Sequence, residues 1–283
     1  MNTLAPGTGT RAPADRDSTP PPPAPGPSPA RASLRRLRAL GRAELTLLLR
    51  NRTSLFVALL MPVGMVALAW SSLQGMDLDG TGVSAAEAVL TGGVGIVLIL
   101  VVYLNPLSAY VARREERVLK RQRTGELSDA EILAGPALPS VALALAQCAL
   151  LVLAGWTVWD LSAPQRPDLL MAGLALGSVL LVLLAAVTAA FTRTVESAQL
   201  TAMPLLMVSA LGSGLFVPLE VLPDTVADIC RLLPLTPAME LVQGGWLGGL
   251  EAGDALRAPA LALAWSALGV FAVRRWFRWD PRQ

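Results

Sequence analysis

Long apolar runs alternate with short polar connections along most of this chain. Each run holds roughly 18 residues or more, which is the length that a helix needs to cross about 30 Å of hydrocarbon. A soluble fold would instead break its apolar positions into short amphipathic stripes. The pattern therefore predicts an all-α, polytopic membrane protein with six transmembrane helices. Their predicted bounds are 54–73, 88–110, 133–156, 169–191, 200–219 and 255–273.

The chain before the first run divides into two parts, and residues 54–283 then form the transmembrane domain. Residues 1–30 are rich in proline and have no apolar core, which predicts a disordered cytoplasmic tail and no secretory signal. In residues 31–53 leucines follow the helical period and arginines occupy another face, which predicts an amphipathic helix on the inner membrane surface. A basic tether is the alternative, and both place the segment at the inner leaflet. The basic residues assigned to this interfacial helix are Arg35, Arg38, Arg42 and Arg50.

The distribution of charge predicts the orientation of the runs. Basic residues crowd the connection after the second run and the C-terminal end, whereas the first, third and fifth connections are acidic or nearly neutral. Because cytoplasmic loops carry the excess of Arg and Lys, both termini are expected in the cytoplasm. No run has a charged residue near its middle, where one costs about 2.5–3.5 kcal/mol and normally serves an ion or proton path. An ion-coupled secondary transporter is therefore disfavoured.

The composition excludes several kinds of chemistry. The chain is 53% hydrophobic and only 16% charged, and it has no histidine, which removes the commonest general base and metal ligand. Its two cysteines lie in different settings and do not form a disulfide framework. An intramembrane enzyme would need carboxylate or histidine clusters that the sequence does not show. No catalytic, cofactor or metal site is predicted. The bias towards arginine over lysine suggests a GC-rich bacterial genome.

The connection between the second and third runs is the first candidate functional segment. It interleaves acidic and basic residues within helical reach of each other, and Ser128 with Glu131 forms a capping box that predicts the start of the third helix. The residues REERVLKRQR at 114–123, Leu127-Ser128 and EILAG at 131–135 resemble the cytoplasmic loop of type-2 ATP-binding cassette (ABC) permeases. A solvated connector is the plainer alternative. By the resemblance, the ATPase-coupling loop comprises Arg113, Arg114, Glu115, Glu116, Arg117, Leu119, Lys120, Arg121, Arg123, Leu127 and Ser128.

A second stretch, SGLFVPLEVLP at 213–223 with LPLTP at 233–237, is similar to the fifth span of the same family and the connection after it. Residues 222–249 are too interrupted by proline to span and too apolar for a free loop, which predicts short helices that dip into the outer leaflet. This re-entrant segment is either a gate or a cap that only packs. The candidate pathway or gate residues, for which helix packing is the alternative, are Asn105, Ser108, Thr201, Ser209, Ser213, Phe216, Pro218, Glu220 and Pro223.

The resemblance extends from residue 31 to the C-terminus and implies the permease of a bacterial exporter, of the kind that confers drug or antibiotic resistance. The chain lacks the Gly-x-x-x-x-Gly-Lys-Ser/Thr loop that cradles nucleotide phosphates, so ATP and Mg are expected on a separate ATPase subunit and no cofactor on this chain. The resemblance also implies a second permease copy, identical or paralogous, a hydrophobic or amphipathic substrate, the bacterial cell membrane as location and no nucleic-acid partner. A membrane assembly factor and an ion-coupled transporter are the alternatives.

Overall fold

The computed structural model describes residues 41, 42, 46, 64, 66–68, 70, 71, 84–119, 128–158, 161–213 and 223–277. All regular structure in these residues is helical. The helices are α1 (Ala85–Val97), a π-helix (Leu98–Leu104), α2 (Asn105–Glu115), α3 (Asp129–Val158), α4 (Pro167–Phe191), α5 (Val195–Gly212), α6 (Asp224–Arg231), α7 (Thr236–Leu247) and α8 (Ala252–Trp276).

Four helical stretches of the described chain are long and apolar enough to cross a membrane. They coincide with the second, third, fourth and sixth predicted runs, so the all-helical, polytopic architecture is confirmed. The fifth predicted run, 200–219, starts within α5, and its residues from 214 onward lie outside the described part. The tail 1–30, most of the interfacial helix and most of the first run also lie outside it. The four stretches are Ala86–Glu115, Asp129–Thr157, Pro167–Phe191 and Ala252–Trp276.

The second predicted run is one continuous helical rod whose middle is a π-helix. Pro106 lies in the first turn of α2, one residue beyond Asn105, which follows the π-helical segment. Because proline has no N–H and its ring clashes with the carbonyl four residues earlier, an undisturbed α-helix cannot pass through it. The wider hydrogen-bonding pattern upstream of Pro106 relieves this conflict without ending the helix. The side chains of Leu98, Val102 and Tyr103 in this segment are almost completely buried, so the π-helix lies inside the bundle.

Helix α4 lies at the centre of the bundle and packs against α2, α7 and α8. Two glycines on α4 allow α7 to approach closely. A Cβ atom on Gly173 would lie 2.8 Å from the carbonyl oxygen of Ala238, and one on Gly177 would lie 3.2 Å from the Ala238 Cβ. Helices in a membrane gain little from the hydrophobic effect and associate through this kind of close packing between small residues. The Gly173–Gly177 pair therefore fixes α7 against the bundle.

Helix α3 starts with the capping box that the sequence predicts. The Ser128 N–H and Oγ–H both donate to Glu131 Oε2 at 2.8 Å, and the Glu131 N–H donates to Ser128 Oγ at 3.3 Å. The helix therefore begins at Asp129, four residues before the predicted membrane run. Glu131 is only 5% exposed and Ser128 is exposed, so the cap lies at the edge of the packed interior.

Replacing Ser128 by alanine is expected to destabilise the protein by about 1 kcal/mol, because the Glu131 N–H loses its acceptor at a helix start. Thermal unfolding in mild detergent measures this change. Thr157→Ala is the matched control, because the exposed Thr157 hydroxyl donates only to Leu153 O in its own helix, at 2.8 Å. A Ser128→Ala protein that unfolds at the same temperature as the control would show that the cap contributes nothing.

Candidate functional site

The predicted coupling loop starts at the end of α2. The helix closes at Glu116, and Arg117 then adopts a φ of 58°, the left-handed conformation that usually follows a helix C-terminus. Helical structure resumes at Val118 and Leu119. The described part of the loop is therefore a helix end, a tight turn and the start of a second helical piece. Four predicted members of the loop lie outside the described residues, namely Lys120, Arg121, Arg123 and Leu127.

The described loop residues divide into an exposed and a buried set. Glu115, Glu116 and Arg117 are exposed, and they present both signs of charge at one end of the bundle. Arg114 and Leu119, by contrast, are 1% and 0% exposed. The sequence groups these five residues together, but the structure offers only three of them to solvent. The remaining described members are the half-buried Arg113 and the exposed Ser128, and the exposed Arg42 is the one described arginine of the interfacial helix.

Arg114 binds the C-terminal end of α4. Its Nη1 donates to Ala189 O at 2.6 Å, and its Nη2 donates to Thr192 O. The last carbonyls of a helix have no partner within the helix and carry a partial negative charge. The guanidinium satisfies two of them and brings the opposite charge, which offsets the cost of burying it. Arg114 therefore caps α4 from a neighbouring helix.

Glu115 acts at the start of α5, immediately beyond the end of α4. Its Oε1 accepts a hydrogen bond of 3.3 Å from the Val195 N–H, one of the helix-start amides that have no partner within the helix. Thr194 and Ser197 form a reciprocal cap there, in which the Ser197 N–H donates to Thr194 Oγ1 at 3.3 Å and the Thr194 N–H to Ser197 Oγ at 3.1 Å. The pKa of Glu196 is held below its usual range, chiefly because the carboxylate accepts a hydrogen bond from its own backbone N–H at this helix start. The site thus gathers acidic groups around the positive end of α5.

The candidate pathway residues are spread over α2, α5 and the segment after α5. On α2, Asn105 is exposed and Ser108 is half-buried. On α5 the hydroxyls bond within their own helix, Thr201 Oγ1 to Ser197 O at 2.9 Å and the buried Ser213 Oγ to Ser209 O. Pro223 is exposed, and Phe216, Pro218 and Glu220 lie outside the described residues.

Two short helices, α6 and α7, lie between residues 223 and 249, so the predicted break of this stretch into short helices is confirmed in its described part. Helix α6 exposes the apolar side chains of Val226, Ile229 and Leu232. Helix α7 is instead packed inside the bundle, and Met239 and Val242 are 0% exposed. The sequence treats this stretch as one segment, but the structure gives its two helices different surroundings.

Thr236 joins α5, α6 and α7 at one buried point. Its Oγ1 lies 2.7 Å from Cys230 O and 3.1 Å from Gly212 O, and the residue is 0% exposed. One hydroxyl group therefore contacts the C-terminal ends of both α5 and α6. The same turn is held from outside by Trp265 of α8, whose Nε1–H donates to Leu232 O at 2.9 Å. Sequence reasoning missed Thr236 because the partner carbonyls belong to backbone whose position no local pattern reveals.

An ion-pair network links α7 to the start of α8, and the sequence did not indicate it. Arg257 Nη2 lies 3.2 Å from Glu240 Oε2, and Arg257 Nε lies 3.1 Å from Asp254 Oδ1. Burial raises the pKa of Glu240, and the charge of Arg257 opposes that rise. The spacing of Asp254 and Arg257 is a readable signal of a helical pair, but nothing local points to Glu240. Within the described residues no group of three or more His, Cys, Asp or Glu could hold a metal ion.

The profile of one protein family, described as ABC-2 type transporter, matches residues 35–247. The match covers most of the chain and includes the basic segment before the first run, the predicted coupling loop, α5 and both short helices. No curated protein matches the chain.

Proposed function

Because the chain belongs to the ABC-2 type transporter family, we propose that it exports a hydrophobic or amphipathic molecule, such as a drug, a natural product or a lipid-like compound. The family membership makes the chain the membrane-spanning permease component of a transporter and not the ATPase. Permeases of this family generally pair with an ABC ATPase subunit. In this proposal ATP and Mg bind to that partner, and this chain binds no cofactor.

The proposed topology has six spans with both termini in the cytoplasm, an interfacial helix at 31–53 and a re-entrant segment formed by α6 and α7. Four candidate spans match predicted runs, and α5 contains the start of the fifth. The two short helices lie between α5 and the last candidate span, where the topology places the re-entrant segment. The exposed apolar side of α6 supports contact with lipid, because such a surface is unfavourable in water. The proposed location is the bacterial plasma membrane.

The absence of charge along the candidate spans supports an apolar or amphipathic substrate. In the four described candidate spans, acidic and basic residues lie only towards the ends. A permanently charged substrate would need buried partners of opposite sign along its route. The proposed pathway follows α2 and α5 through Asn105, Ser108 and Thr201. A role in drug or antibiotic resistance belongs to the same proposal.

The exposed end of α2 is the proposed contact with the ATPase. Glu115, Glu116 and Arg117 stand exposed beyond a helix end that is fixed to the bundle by Arg114. The helix end holds these exposed charges of both signs in fixed positions. They can therefore pair with complementary charges on a partner, and such complementarity determines how the partner is oriented and which partner binds. The interfacial helix is the proposed second contact, and a second permease copy completes the transporter.

Purification of the tagged chain from its native membranes in mild detergent is expected to recover a P-loop ATPase. ATP hydrolysis by the recovered complex should then fall about tenfold in Glu116→Lys, because reversing a rim charge turns attraction into repulsion. Glu251→Lys is the matched control, because it makes the same charge change at an exposed glutamate at the start of α8. Its hydrolysis should equal that of the wild type.

Two results would contradict the proposal in different ways. Repeated recovery of the intact chain without any ATPase would overturn the permease function and favour an assembly factor or an ion-coupled transporter. Recovery of an ATPase whose activity is equal in Glu116→Lys and Glu251→Lys would keep the permease function but move the contact away from the end of α2.

A further inference from the structure

The corner between α4 and α5 brings two helix ends of opposite polarity together. Helix α4 ends at Phe191 and α5 starts at Val195, so residues 192–194 make the whole connection. Thr192, with a φ of −79° and a ψ of 140°, is already in extended conformation. The free carbonyls of α4 and the free amides of α5 therefore lie close to each other, the first partially negative and the second partially positive.

Helix α2 meets this corner with two consecutive residues of opposite charge. Arg114 donates to carbonyls at the negative end of α4, and Glu115 accepts from an amide at the positive end of α5. Each charge is thus placed against the helix end that attracts it. The guanidinium is planar and places two separate donor nitrogens in a rigid fork, so each nitrogen reaches one carbonyl, a geometry that the single nitrogen of a lysine does not reproduce. The arrangement depends on both residues and on their order in the sequence.

We propose that Arg114 and Glu115 form a clamp through which the coupling loop moves α5. The inference rests on the proposed function, in which the ATPase acts on the exposed residues beyond Glu115. Arg114 is then a positioning residue. It does not contact the ATPase, but it makes the end of α2 and the α4–α5 corner move as one body. A displacement of the loop reaches α5 directly, without passing through α3.

Further hydrogen bonds define the extent of this moving body. Tyr103 OH and Thr188 Oγ1 share a hydrogen bond of 3.0 Å, which joins the rod to α4 one turn before the clamp. Tyr110 OH donates to Leu133 O at 2.7 Å and adds the start of α3. Tyr103 lies near the C-terminal end of the π-helix, a form that occurs frequently at functional sites. We place the hinge of the moving body in the part of the π-helix that precedes Tyr103.

Spin-label distances in the full chain, in lipid nanodiscs with the ATPase that copurifies, test the clamp. Labels are placed at the half-buried Ala112 on α2 and the exposed Gln199 on α5, with Cys148→Ala and Cys230→Ser removing the native thiols. The 112–199 distance should stay narrow and unchanged between the nucleotide-free and the vanadate-trapped ATP states. The distance from 112 to a label at the exposed Glu251 should change between the same states. A 112–199 distance that changes as much as the 112–251 distance would overturn the clamp.

Substitution of Arg114 is the second test of the clamp. Arg114→Gln should broaden the 112–199 distribution about twofold, since the two helix ends then sample separate positions, and should lower ATP hydrolysis several-fold. Arg114→Lys keeps the charge but lacks the fork of two donor nitrogens, so it should recover part of both effects. If Arg114 only stabilised the fold, the width of the distance distribution would not be partly restored in Arg114→Lys. Equal widths in wild type, Arg114→Gln and Arg114→Lys would refute the clamp.

A measurement on the chain without any partner distinguishes failure of the clamp from failure of the proposed function. If no ATPase is recovered, the proposed function fails, but the width of the 112–199 distribution still decides whether the clamp exists. If Arg114→Gln does not fold, Glu115→Ala takes its place, because it removes the one exposed acceptor of the Val195 N–H on α2. A broader distribution in Glu115→Ala supports the clamp, and an unchanged one overturns it.

Discussion

A single added methyl group at Gly245 is expected to destabilise the bundle by about 1–3 kcal/mol, the usual cost of overpacking. In Gly245→Ala the new Cβ would lie 2.8 Å from the Leu170 Cα and 2.9 Å from the Leu170 Cβ. The crowding atoms belong to backbone and cannot rotate away. The start of α4 is also tied to the end of α7 by the Arg166 N–H, which donates to Gly245 O at 2.9 Å. The clash therefore pushes apart two helices that the backbone holds together.

Thermal unfolding of Gly245→Ala in mild detergent, followed by tryptophan fluorescence, measures this loss. Trp246 is the neighbouring residue and is 4% exposed, so it contributes to the emission change together with the other tryptophans of the chain. Gly253→Ala is the matched control, because no atom lies within 4 Å of a Cβ built on Gly253. It should unfold at the wild-type temperature or slightly above, since alanine favours a helix. Equal unfolding temperatures for the two variants would mean that α4 and α7 do not approach as described.

The helical framework could be predicted from the sequence because its signals are local. The length of an apolar run decides whether a helix can span, and four of the runs reappear as candidate spans. The start of α3 was predicted for the same reason, since Ser128 and Glu131 are three residues apart and cap each other. The prolines at 223, 234 and 237 likewise predicted that the chain between α5 and α8 breaks into short helices.

The site was predicted less well because its main contacts join distant residues. Nothing in the neighbourhood of Arg114 distinguishes it from the exposed Arg117, and the carbonyls that it binds are 75 and 78 residues away. The hydrogen-bond pattern upstream of Pro106 is also set by packing, so the sequence alone did not predict the π-helix. One overlooked signal was readable, because Gly173 and Gly177 have the spacing of a close helix contact. Nothing in the sequence indicated that these glycines contact Ala238.

Replacing Thr236 by valine is expected to destabilise the protein by about 1–3 kcal/mol, because a buried carbonyl loses its hydrogen bond. Valine keeps nearly the same shape and removes only the hydroxyl. The hydroxyl has a single proton, and the nearer acceptor, Cys230 O at 2.7 Å, should lose more than Gly212 O at 3.1 Å. The end of α5 and the turn after α6 should then separate more easily. Thr225→Val removes an exposed hydroxyl from α6 and is the matched control.

The reactivity of Cys230 reports this separation locally. The thiol is half-buried in the wild type, and in a Cys148→Ala background it is the sole cysteine of the chain. Thr236→Val should speed its modification by a maleimide several-fold, because labelling follows the population of the open turn. The control should label at the wild-type rate. Wild-type unfolding and unchanged labelling in Thr236→Val would show that the hydroxyl does not join these helices.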